Sequence, residues 1–147
     1  MTDHRRRRGY GDCVSPSRFA DAFDRAAKTY DVTAFPFFTP FGEALVEFAQ
    51  LGPTDRVLDV GCGAGAALAP AARVAKSAVG IELSAAMAER ARAAAPDAEV
   101  VVGDAAELPF DDGSFDVVLS AFVVFSCRTL RRRCANGGAS SPWVAGS

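Results

Sequence analysis

The stretch Arg56-Val57-Leu58-Asp59-Val60-Gly61-Cys62-Gly63-Ala64-Gly65 decides how this chain is read. An aliphatic, β-branched run carrying one aspartate ends in a glycine cluster, and an alanine-rich helical pattern follows. A strand, a tight turn and a helix start therefore stand in sequence. Glycines let the turn take φ > 0 and let a ligand approach bare backbone. The helix start behind them offers backbone N–H groups that have no intrahelical partner.

The same alternation continues downstream. Strands are expected at Val57–Val60, at Ala78–Ile81 running into Glu82, at Glu99–Val102 running into Gly103-Asp104, and at Phe115–Phe122. Helices are expected near Ala64–Ala75 and from Ser84 through Ala95, with turns at Pro96-Asp97 and Asp111-Asp112-Gly113-Ser114. Strands separated by helices of this length imply βαβ units and a parallel sheet, an α/β fold. The near-continuous apolar strands predict helices on both faces. Upstream, Phe19, Ala22, Phe23 and Ala26 share one helical face, and Tyr30-Asp31 closes that segment. A second amphipathic helix is expected from about Phe41 to Leu51, stopped by Gly52-Pro53. Between the two helices, Pro36 and Pro40 bracket the aromatic cluster Phe35, Phe37, Phe38 and Phe41.

With 147 residues, half of them apolar, the chain fits one modest domain. No apolar run approaches the roughly 20 residues that span a membrane. Arg5 to Arg8 lead into Gly9-Tyr10-Gly11-Asp12 rather than an apolar segment, which argues against a signal peptide. Cys13, Cys62, Cys127 and Cys134 lack metal or disulfide spacing, and the single histidine is His4, so no metal site is expected and a reducing cytoplasm is. The net charge of −2 hides a segregation. Residues 19–125 hold 16 acids against 7 bases, a net of −9, while the two tails hold 9 arginines against Asp3 and Asp12, a net of +7. Neither tail interleaves aromatics with its arginines, which argues against nucleic-acid-binding arms and for solvated tails.

Three of the expected strands end in, or just before, an acid: Asp59, Glu82 and Asp104. In open α/β sheets the ligand lies beyond the carboxyl ends of the strands. Glu82 lies 21 residues past Gly61, near the roughly 20 at which an acid meets ribose hydroxyls in βαβ nucleotide sites.

The glycine stretch resembles the first motif of the class I S-adenosylmethionine-dependent methyltransferases, a hydrophobic strand running into Asp-x-Gly-x-Gly-x-Gly, with Asp59, Gly61, Gly63 and Gly65 in the four positions. Gly61-x-Gly63 followed by Ala66 also fits the looser dinucleotide pattern G-x-G-x-x-G/A. Asp59 helps to choose, because a pyrophosphate sits poorly beside a carboxylate at the strand end. S-adenosyl-L-methionine carries no phosphate and has a positive sulfonium and a positive amino group. Gly103-Asp104-Ala105-Ala106-Glu107-Leu108-Pro109-Phe110, followed by Ser114-Phe115-Asp116-Val117-Val118, is similar to the branch that includes quinone-biosynthesis and many small-molecule methyltransferases. Phe23-Asp24-Arg25-Ala26-Ala27-Lys28-Thr29-Tyr30-Asp31 resembles the helix that lies over the cofactor in that branch.

The resemblance covers about residues 19–125 and implies a Rossmann-like sheet with S-adenosyl-L-methionine as cofactor and a small-molecule methyl acceptor as partner. It implies a carboxylate at Asp59 near the methionyl end, with Tyr30 close by, and a backbone cradle at Gly61, Cys62, Gly63 and Gly65. It further implies Glu82 on the ribose, Leu83 on an adenine face, Asp104 on the adenine 6-amino group and the Ala105 N–H on a ring nitrogen. Ser120 falls where acceptor contacts often arise. No catalytic base is assigned, since methyl transfer from a sulfonium is an in-line displacement that needs a base only where the acceptor must lose a proton.

The family fold has seven strands, and this chain supplies the first four. After Phe125 the pattern is lost: Ser126-Cys127-Arg128-Thr129-Leu130-Arg131-Arg132-Arg133 has no apolar period, and the remainder is rich in Gly, Ser and Pro. A reading-frame shift near Ser126 is the expected cause, since codons chosen among the synonymous ones and regrouped by one base encode an amphipathic continuation. The expected organisation is a disordered basic tail over 1–18, a partial methyltransferase domain over 19–125 (helical cap 19–52, cofactor-binding half 53–125) and an irregular tail over 126–147. The fourth strand is then an unpaired apolar edge that invites oligomerisation, stability is marginal, and methyl transfer is weak or absent. A non-catalytic cofactor- or partner-binding fragment and an NAD(P)-binding module are the alternatives.

Overall fold

The computed structural model describes residues 15–30, 37–121 and 143–146, the last of these as backbone. Two helices, α1 (Pro16–Ala26) and α2 (Phe38–Ala49), precede the sheet. Then β1 (Arg56–Val60), α3 (Leu68–Val74), β2 (Ser77–Glu82), α4 (Ala85–Ala94), β3 (Glu99–Val102) and β4 (Val117–Ala121) follow in order, and β5 is Trp143–Gly146. All strand pairs are parallel, in the order β3-β2-β1-β4-β5. The chain thus runs outward from β1 through β2 to β3, then returns to place β4 on the other side of β1. That reversal is the switch point at which open α/β sheets bind their ligands.

The burial of β1 follows its sequence. Val57, Leu58, Asp59 and Val60 are all buried, as expected of a strand paired on both sides and covered on both faces. On one face, α2, α3 and α4 set Leu45, Val46, Leu68, Ala71, Ala88 and Ala91 against Val57, Ala78, Val100 and Leu119. The other face differs from expectation. Among the described residues it is covered by the segment between β3 and β4, whose Leu108, Phe110 and Phe115 pack on Leu58, Val60 and Ile81. Phe110 and Phe115 meet edge to face with ring centroids 5.0 Å apart. Pro109 and the Asp111–Gly113 turn break helical periodicity there, so the crossover is closed by apolar side chains on a loop.

The helix bounds also shift. α1 starts at Pro16, inside the expected 1–18 tail, with proline at the first helical position, where its missing N–H costs nothing. α3 starts at Leu68 rather than near Ala64, because Gly61, Gly63 and Gly65 hold φ of 69°, 55° and 91° and no right-handed helix can run through them. The expectation of an unpaired fourth strand is corrected. β5 pairs in parallel with β4, Val118 opposite Trp143 through Ala121 opposite Gly146, and so satisfies the edge N–H and C=O groups that β4 would otherwise present. Residues 143–146 accordingly leave the expected irregular tail. The remaining expectations for residues 1–14, for residues 31–36 (Asp31, Phe35 and Pro36 among them) and for residues 122–142, the frame-shift segment included, lie outside the described residues. Among the described residues no helix is long and apolar enough to cross a membrane.

At the N-terminal end of the sheet, Arg56 and Asp116 tie β1 to β4. The guanidinium donates to both carboxylate oxygens at 2.9 Å, and the Arg56 N–H donates to Asp116 Oδ2 at 2.9 Å. The Arg56 guanidinium holds the Asp116 carboxyl well below the usual range.

Candidate cofactor site

The C-terminal ends of β1, β2 and β3 open onto one cavity of about 690 Å³, a volume typical of small-molecule sites. Its strand-end side is lined by Asp59, residues 61–65, Glu82, Leu83, Asp104 and Ala105. Its helical side is lined by Pro16, Phe19 and Phe23 of α1, by Tyr30, and by Phe38, Thr39, Gly42 and Glu43 of α2. Of the eleven residues expected at the site, ten line this cavity. Ser120 does not; its neighbour Ala121 does, in keeping with the alternation of successive strand residues between opposite faces.

The glycine turn uses its own N–H groups internally. Those of Gly61 and Cys62 both donate to the Ile81 carbonyl, at 2.8 and 3.1 Å, and that of Gly65 donates to the Cys62 carbonyl at 2.8 Å. The Gly63 N–H donates to Glu82 Oε2 at 2.9 Å. What the turn presents to the cavity is therefore shape and carboxylate charge, rather than the fan of free N–H groups that grips a phosphate.

Glu82, at the end of β2, is buried and held at both oxygens, since Ser84 N–H donates to Oε1 at 2.9 Å. A carboxylate has about four lone-pair sites, so two remain for hydroxyl donors. Ser84 in turn caps α4, its Oγ accepting from Met87 N–H at 3.1 Å, a cap worth about 1 kcal/mol.

Asp59 is 1% exposed, and its Oδ2 has no hydrogen-bond partner among the described residues. Burial, then the neighbouring Glu82 charge, push its carboxyl up to about 7, against a hydrogen bond from the Leu68 N–H. A buried acceptor without a partner costs free energy, and the residue that carries it is one of those lining the cavity. An ammonium beside it would favour the charged form and supply a donor, and a sulfonium nearby would add positive charge, so the residues present fit S-adenosyl-L-methionine. Burial also raises the Cys62 thiol, which makes it a wall of the site rather than a nucleophile. Asp104 Oδ1 accepts from Ala106 N–H at 2.8 Å, an Asx turn that fixes the carboxylate at the end of β3.

Tyr30 stacks on Phe38 with centroids 5.1 Å apart and meets Phe23 at 6.5 Å. These rings join α1 to α2 across the cavity. Sequence reasoning missed three features of the site. Gly42 lies against the turn after β1, where a Cβ would sit 2.2 Å from the Ala66 carbonyl oxygen. Met87 and Arg73 line the cavity from α4 and α3. Asp24 of α1 accepts from Ser84 Oγ and from Ala86 N–H, the latter at 3.1 Å. No local signal joins positions sixty residues apart, although Ser84 was legible as a helix start.

Residues 58–136 match the family described as a methyltransferase domain. Aklanonic acid methyltransferase DauC of Streptomyces sp. is 39% identical over 121 residues, which cover 77% of this chain and 55% of that protein. Demethylmenaquinone methyltransferase of Renibacterium salmoninarum is 33% identical over 111 residues, covering 73% of this chain and 47% of its own. The chain spans about half the length of these curated relatives. Among solved structures, Haemonchus contortus phosphoethanolamine N-methyltransferase 1, in complex with phosphoethanolamine and S-adenosylhomocysteine, shares the fold with a TM-score of 0.63 at 19% identity, over 74% of this chain and 25% of that one. From its matched domain, its strand order and its glycine corner, the chain belongs to the class I S-adenosyl-L-methionine-dependent methyltransferases.

Proposed function

We propose that the cavity binds S-adenosyl-L-methionine and holds it for methyl transfer to a small-molecule acceptor. The observation that carries this reading is the unpartnered Oδ2 of Asp59, a buried residue that lines the cavity beside a second buried carboxylate, Glu82. Asp59 holds the cationic methionyl end, Glu82 accepts from the ribose hydroxyls, and Asp104 with the Ala105 N–H reads the adenine edge. Leu83 and Met87 supply apolar surface for the base. When bound, the cofactor supplies an electrophilic methyl group on a sulfonium. The chain's residues orient it, and the aromatic side of the cavity (Phe19, Phe23, Tyr30, Phe38) excludes water from the displacement. The names of the two relatives, an aklanonic acid and a demethylmenaquinone methyltransferase, support a small organic acceptor.

Isothermal titration with S-adenosylhomocysteine tests the reading. Binding that Asp59→Ala and Glu82→Ala abolish is the expected result, and preference for NAD(P) over S-adenosylhomocysteine would overturn it. Binding without methyl transfer to any small-molecule acceptor would make the chain a cofactor-binding module.

A further inference from the structure

α1 lines the cavity with Pro16, Phe19 and Phe23, yet none of its eleven residues is buried. The apolar contact described above that ties it down is that of the Phe23 ring with Tyr30. The other holds are polar and sit at the two ends of its last turn, Asp24 to Ala27, against α4. At one end, Asp24 Oδ1 accepts from Ser84 Oγ and from Ala86 N–H, placing a carboxylate at the N-terminus of α4, where the helix dipole favours negative charge. At the other end, the Arg90 guanidinium donates to the Ala27 carbonyl, at the C-terminus of α1. Ser84, which bonds Asp24 through its hydroxyl, also donates its backbone N–H to Glu82 Oε1. One residue thus joins the helix over the cavity to the carboxylate within it.

We propose that Asp24 is a positioning residue for the cofactor: its bonds to Ser84 and Ala86 latch α1 over the cavity and keep Phe19 and Phe23 against the bound molecule. This rests on the cofactor reading above. Asp24 itself does not line the cavity, so its effect on binding passes through α1 and Ser84. Affinity for a ligand is reduced by the fraction of molecules in which the binding-competent arrangement is populated, and release of the latch lowers that fraction.

The test compares the full chain with its Asp24→Ala and Asp24→Asn variants. Three readouts are taken: S-adenosylhomocysteine affinity by titration calorimetry, the thermal midpoint without ligand, and the rate of tryptic cleavage after Arg18 and Arg25, followed by mass spectrometry. For D24A, affinity falls about tenfold, the order expected when a charge-assisted pair of bonds is lost. Cleavage within α1 accelerates, and the unliganded midpoint stays at the parent value because the core is untouched. D24N keeps a carbonyl acceptor for both donors and retains affinity to within about threefold.

A parent chain that binds, with D24A binding equally well, overturns the latch and leaves the cofactor reading standing. A parent chain that does not bind S-adenosylhomocysteine overturns the cofactor reading and the latch with it. A D24A chain that unfolds globally also overturns the latch, because the residue would then support the core rather than a peripheral helix.

Discussion

Glu82 Oε2 accepts a 2.9 Å hydrogen bond from the backbone N–H of Gly63, so the acid that ends β2 braces the turn that follows β1. One side chain thereby fixes the shape of the glycine corner and offers its remaining lone pairs to the cavity. In Glu82→Gln one oxygen becomes an amide nitrogen that faces a backbone donor, either Gly63 N–H or Ser84 N–H. An unsatisfied donor of this kind costs about 1–3 kcal/mol. S-adenosylhomocysteine affinity should drop roughly tenfold to a hundredfold, measured by titration calorimetry, and the free protein should melt lower.

Asp59 makes binding and stability respond to pH in opposite directions. Its folded-state carboxyl is pushed up from 3.8 to about 7, so the folded chain holds a proton that the unfolded chain has released. Its contribution to stability is fully present below about pH 4 and is lost as pH rises through about 7. Asp59→Asn removes the buried charge and should raise the melting point of the free protein at pH 8, by about 2–4 kcal/mol in stability, with the gain vanishing towards pH 4. The same variant should lose S-adenosylhomocysteine binding. In the parent chain, affinity should rise between pH 6 and 8 as Asp59 ionises to meet the ligand's ammonium. Thermal melts and calorimetry across that range check both statements.

Gly42 sets how closely α2 approaches the turn after β1. A Cβ there would lie 2.2 Å from the Ala66 carbonyl oxygen and 2.8 Å from the Ala67 nitrogen. These are backbone atoms, which cannot rotate out of the way. Gly42→Ala should therefore destabilise the chain by about 1–3 kcal/mol, despite alanine's better helix propensity. It should also weaken cofactor binding, because Phe38 and Thr39 move with α2. A thermal melt and a titration on the same sample separate the two effects.

Asp116 provides the contrast. It pairs with Arg56 at the end of the sheet away from the cavity, and its carboxyl is depressed in the folded state. Its stabilisation is present above the ordinary carboxylate range and is lost as pH falls through the depressed value. Asp116→Asn should lower the melting point at pH 7 in a salt-sensitive way, since the pair is solvent-facing. At pH 3 the difference should shrink, and S-adenosylhomocysteine affinity at pH 7 should equal that of the parent.

Local patterns made the strand-end half of the site legible. β1 announces itself as an aliphatic run before three glycines that all take positive φ, and Glu82 and Asp104 stand at strand ends marked by Ser84 and Gly103. Features that depend on pairing distant segments were not legible. Leu108, Phe110 and Phe115 sit in a stretch without helical period, and nothing local shows that they pack on Leu58, Val60 and Ile81. Trp143–Gly146 is four residues among glycines and serines, and it becomes a strand because β4 supplies a ladder to join. Ala121 rather than Ser120 lines the cavity, since successive strand residues point to opposite faces and no local pattern says which of the two faces the cavity.

The addition of Trp143–Gly146 beside β4 moves the growing margin of the sheet outward by one position. Among the described residues those four form the outer strand on this side, so polypeptide added beside them would be templated by their backbone. The register of Trp143 opposite Val118 sets the frame in which each added segment would align.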